Sequence, residues 1–203
     1  MDTNSLSAFS TDTLKEIINI GAGNAATALS QMTGTQVDIS TPQVTVLKVE
    51  DVPEFTGKPD SVVSVVLVEV HGDAPGIIML MFPQESALKI SHLIMRQSRT
   101  MLNDMDRTAL REVGNVLAGS CLTSLGNFLK MSFVQSVPNA ATDMMGSLLT
   151  SVLCERGNAQ EDVLVSEILF QIKELKIDGR MFFMFDPSST RKILEATKKY
   201  LPS

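Results

Sequence analysis

The stretch TDTLKEIINIGAGNAATALS, Thr11 to Ser30, decides the fold. Leu14, Ile17, Ile18 and Leu29 recur at the spacing of a buried helix face. Glu16 and Asn19 interrupt the run, and Gly21 and Gly23 follow where alanine would favour a helix by ~1 kcal/mol each. A second stretch, RTALREVGNVLAGSCLTSLG, Arg107 to Gly126, lies on the first at one offset of 96 residues (Leu14 to Leu110). Glu16 falls on Glu112, Asn19 on Asn115, Gly23 on Gly119, and Thr27 on Thr123. Pro42 falls on Pro138 without a gap, and Asp12 falls on Thr108. Agreement at this many positions marks an internal duplication.

The rest of each half follows suit. Asp60 to Val70 and Ile77 to Phe82 read as strands around the turn cluster His71 to Gly76. Asp162 to Lys173 and Arg180 to Phe185 flank Lys176 to Gly179 in the same way. Pro83 and Pro187 open closing helices over Gln84 to Arg96 and Ser188 to Tyr200. An additional helix is expected over Asn139 to Glu155, with Val49 to Lys58 in the comparable place of the first half. Each half reads helix, strand near the proline, strand hairpin, helix. The expected fold is α+β, with pseudo-twofold halves sharing an antiparallel sheet flanked by helices. The chain is expected to form one domain of two repeats, about 10–98 and 106–201.

Composition narrows the function. The net charge is −6 and no basic cluster stands out, which argues against nucleic acid. The longest apolar run, Val62 to Val68, is too short for a membrane span. Met1 to Thr13 lacks the features of a signal peptide. The expected location is therefore cytoplasmic, with Cys121 and Cys154 as free thiols in apolar helical patterns. His71 and His92 have no partners at metal-ligand spacing, so no metal site is expected.

At ~100° per residue, Asp12, Glu16, Asn19 and Gly23 form one stripe, and Thr108, Glu112, Asn115 and Gly119 form its copy. Two structural readings compete with a functional one. Thr13 and Glu16 fit a capping box, but Ala109 replaces the threonine in the second copy while Glu112 stays. A solvated face with incidental polar residues is the other, and repetition of the pair weakens it. Twelve methionines fill apolar positions and read as adaptable packing.

The patterns Asp12-x3-Glu16-x2-Asn19-x22-Pro42 and Thr108-x3-Glu112-x2-Asn115-x22-Pro138 resemble the twin signatures of CheC-type chemotaxis phosphatases, the CheC/CheX/FliY family. Thr108 departs from the family's preference for Asp or Ser, though it keeps a hydroxyl. The resemblance implies hydrolysis of the phospho-aspartate on the response regulator CheY. It implies that Asn19 and Asn115 orient water and that Glu16 and Glu112 engage the regulator's active-site lysine. The chain would bind no cofactor itself, and Mg²⁺ would come with the phosphorylated partner. Gly23 and Gly119 would give clearance, while Pro42 and Pro138 would shape the turn or edge strand behind each helix. It also implies binding of the receptor deamidase CheD, with Asp143 as candidate contact on the segment Ala141 to Cys154. The alternative is a weakly catalytic adaptor for CheD and phosphorylated CheY.

Overall fold

A computed structural model describes residues 8–97, 101–154 and 162–198. Two 26-residue helices, α1 (Ala8–Thr33) and α4 (Asp104–Leu129), are the largest elements. They end at the same 96-residue offset as the sequence repeat (33 to 129). Asn103 caps α4: its side chain accepts from the Met105 and Asp106 N–H groups, and Asp106 returns a bond to the Asn103 N–H. The capping reading of Thr13 does not hold, because Thr13 lies inside α1, which is already helical at Ala8.

The two helices pack against each other closely. A Cβ on Gly21 would lie 3.3 Å from the Cα of Cys121, so glycine there permits the approach. Asn24 Nδ2 donates to Ser124 Oγ at 2.9 Å across the same contact.

The sheet comprises β1 (Asp38–Ile39), β2 (Gln43–Lys48), β3 (Val62–Gly72), β4 (Gly76–Pro83), β5 (Phe133–Gln135), β6 (Asn139–Met144), β7 (Asp162–Ile172) and β8 (Ile177–Phe185). Every pairing is antiparallel, in the order β1-β7-β8-β4-β3-β5, with β2 also on β7 and β6 also on β3. The halves exchange strands: β2 of the first pairs with β7 of the second, and β6 of the second pairs with β3 of the first. The registers correspond, since Gln43 opposes Glu167 as Asn139 opposes Leu67. At the centre, β4 pairs with β8, and Leu80 meets Met181.

Side chains alternate across the strands, and both sheet faces are covered. One face, with Val66, Leu80, Ile168 and Phe183, packs under α1, α4, α3 (Gln84–Met95) and α6 (Pro187–Thr197). The opposite face, with Val65, Met79, Val165 and Phe182, is covered by α2 (Val52–Thr56) and α5 (Met145–Cys154). The expected closing helices are α3 and α6; α3 stops where Arg96 turns left-handed at φ 52°. The expected 139–155 helix is corrected. Asn139 to Met144 is strand β6, held to β3 by full pairing, and the helix begins at Met145 (Met145–Cys154), with Glu155 outside the described residues. Local composition suits a helix there, but the free edge of β3 supplies the backbone partners that win.

Candidate functional site

The stripe expected on α1 and α4 faces outward. Leu14, Ile17, Ile18 and Leu29 are all buried, whereas Asp12 and Glu16 are exposed and Asn19 and Gly23 half-buried. On α4, Thr108 and Glu112 are exposed, and Asn115 and Gly119 half-buried. Each helix thus presents a carboxylate and, three residues on, a carboxamide to solvent. Residues at that spacing are neighbours on a helix surface. Among the described residues, neither Glu16 nor Glu112 has a hydrogen-bond or ion-pair partner. Pro42 and Pro138 immediately precede β2 and β6, the strands exchanged between halves.

The two copies differ in detail. Asp12 is ion-paired to Lys15 at 3.7 Å, whereas the Thr108 hydroxyl donates back to the Asp104 carbonyl at 3.0 Å. A Cβ on Gly23 would meet nothing within 4 Å, while one on Gly119 would touch Gln135 Oε1 at 3.5 Å. The largest difference is at the amides. Gln135 Nε2 donates to Asn115 Oδ1 at 2.6 Å, and Asn19 has no such partner among the described residues. Gln135 also borders an open groove of about 490 Å³ beside Gly119, Thr123 and Gly126.

Sequence reasoning missed two residues here. Ile20 lies one residue beyond Asn19 and is 44% exposed, an apolar side chain on the outer face of a helix. Gln135 stands where the repeat places Ile39, and nothing local in the sequence ties it to Asn115. Asp143 is corrected in setting: it lies on β6 opposite Val63, exposed, with its carboxylate accepting from the Met144 N–H. Cys121 is buried, and burial pushes its thiol up to about 12. The Cys154 side chain lies outside the described residues.

On each long helix the acid and the amide stand together on the outer surface. Such a ridge suits chemistry on a group that a docked partner brings to it, contributing hydrogen bonds and charge. The chain resembles the CheC-like chemotaxis phosphatases. A model of the CheC-like family matches residues 9–46, and one of the chemotaxis phosphatase CheX matches residues 64–150. The chain is 29% identical over 192 residues to the CheY-P phosphatase CheC of Bacillus subtilis, covering 91% of this chain and 92% of that protein. It is 26% identical over 178 residues to the flagellar motor switch phosphatase FliY of B. subtilis, covering 85% of this chain and 44% of that one. The crystal structure of Thermotoga maritima FliY is similar at a TM-score of 0.81 and 25% identity, covering 97% of this chain and 100% of that one. A CheX-CheY-BeF3-Mg²⁺ complex from Borrelia burgdorferi shares the fold at a TM-score of 0.57 and 19% identity, covering 84% of this chain and 96% of that one.

Proposed function

We propose that this chain hydrolyses the phospho-aspartate of the response regulator CheY. Asn19 and Asn115 orient the attacking water, and Glu16 and Glu112 engage the regulator. The observation that carries this reading is the outward-facing Glu–Asn pair at the same place on both α1 and α4. The B. subtilis relative's name, a CheY-P phosphatase, supports the substrate. The Borrelia structure, which holds CheX with CheY, BeF3 and Mg²⁺, supports a regulator that brings its own metal.

The chemistry needs little from the ridge. Water oxygen attacks phosphorus, the acyl P–O bond breaks, and the aspartate carboxylate leaves. A carboxamide offers a donor and an acceptor without a charge that would repel the phosphoryl group. Holding water in line this way parallels the water-positioning glutamine of GTPases. The carboxylates of Glu16 and Glu112 are free to pair with a cation on the regulator.

Asn19→Ala combined with Asn115→Ala is expected to lower phosphate release from phosphorylated CheY at least ~100-fold, about 2.7 kcal/mol in barrier, with the melting temperature unchanged. Release at the parent rate would defeat the mechanism. Regulator binding without release by the parent chain would favour the adaptor reading instead.

CheD is the proposed second partner. Asp143 supports this by standing exposed near the end of edge strand β6, where α5 begins. Asp143→Lys is expected to abolish CheD binding while phosphatase activity persists; normal CheD binding would end the assignment.

A further inference from the structure

Gln135 breaks the equivalence of the two sites. It pairs with Val70 on β3 as Ile39 pairs with Phe170 on β7, so Gln135 and Ile39 occupy corresponding places beside α4 and α1. Gln135 Nε2 faces two acceptors of one residue: the Asn115 backbone carbonyl at 3.4 Å and Asn115 Oδ1 at 2.6 Å. The backbone carbonyl can only accept, so it fixes which end of the Gln135 amide points at Asn115. That in turn fixes the Asn115 amide, with Oδ1 inward and Nδ2 away from Gln135. Gln135 Oε1 is buried without a hydrogen-bond partner among the described residues. An orphaned buried acceptor is destabilising, and the isoleucine of the first half would avoid it.

We propose that Gln135 is a positioning residue that locks the Asn115 carboxamide and makes the second site the faster of the two. The inference rests on the reading that these asparagines orient water. Gln135 takes one lone-pair direction on Asn115 Oδ1 and leaves the other for water. The same bond polarises the amide and strengthens its N–H as a donor. Asn19, without such a bond among the described residues, is ordered anew each time the regulator docks, and that ordering adds to its barrier.

The test measures phosphate release from phosphorylated CheY by full-length chains. Asn19→Ala leaves only the second site, and Asn115→Ala only the first. Asn19→Ala is expected to keep most of the activity and Asn115→Ala to lose roughly tenfold. Gln135→Met, similar in size but without the donor, is then added to each. In the Asn19→Ala chain kcat falls roughly tenfold with KM unchanged, and in the Asn115→Ala chain nothing changes. Gln135→Ile, the residue of the first repeat, gives the same result by a side chain suited to a strand. Thermal melts identify any variant that fails to fold, and the other variant then decides. An unchanged kcat in the Asn19→Ala chain, an effect on KM alone, or an equal fall in both chains overturns the proposal. If Asn19→Ala plus Asn115→Ala keeps full activity, the water-orienting reading itself fails. If that pair is inactive but Gln135→Met leaves kcat intact, only the role of Gln135 fails.

Discussion

At the residue scale, environment sets what each polar or reactive group can do. Glu16 and Glu112 stand exposed on their helices, with no ion-pair partner among the described residues. Asn115 is held by Gln135, and Asn19 is not. Cys121 illustrates the opposite extreme. It is 1% exposed, and burial raises its thiol to about 12, so almost no thiolate exists at neutral pH. In a Cys154→Ser background, labelling of Cys121 by an aromatic disulfide at pH 8 is expected to proceed only at the rate of unfolding. Rapid labelling under native conditions would contradict its burial.

At the scale of elements, the glycines of α1 and α4 divide by their surroundings. Gly114 faces inward, where a Cβ would lie 2.5 Å from Val66 Cγ1 in the core. Gly114→Ala is expected to cost about 1–3 kcal/mol through overpacking, read from chemical denaturation. Gly23 faces open space. Gly23→Ala is expected to stabilise the helix by ~1 kcal/mol in the same assay. Nothing among the described residues requires glycine at position 23, and the clearance it gives is proposed to serve the docking regulator. Gly23→Leu should keep the fold and weaken regulator binding; equal affinity would refute that role. The exchanged strands show how an element overrides local preference. Asn139 to Met144 pairs along β3, and the helical pattern begins only at Met145.

At the scale of the molecule, the two repeats are proposed to fold as one unit. Strand exchange and the α1–α4 contact place residues of both halves in each core. Arg180 is one tie between them. Its guanidinium bonds the Glu167 carboxylate and the carbonyls of Phe55 and Thr56 at the end of α2, and lies 4.9 Å over the Phe182 ring. Arg180→Met leaves Glu167, 8% exposed, without its cation, and is expected to cost about 3 kcal/mol. The parent chain is expected to unfold in one calorimetric transition with equal van't Hoff and calorimetric enthalpies. Two separate transitions would mean that the halves are independent.

The sequence by itself determined the duplication, the outward stripe on each long helix, and the identity of the acid and amide. It could do so because helical periodicity and a fixed offset are properties of one strand of text. The buried Leu14, Ile17 and Ile18 and the exposed Glu16 follow from that period alone. Tertiary structure alone decided that β6 is extended, since only the open edge of β3 supplies its partners. It alone separated Gly23 from Gly119, and Asn19 from Asn115. Those differences arise from Gln135, 20 residues beyond Asn115 in the chain (135 − 115) and 2.6 Å from it across a strand-to-helix contact. A repeat read along the chain reports what two sites share; packing between elements sets how they differ.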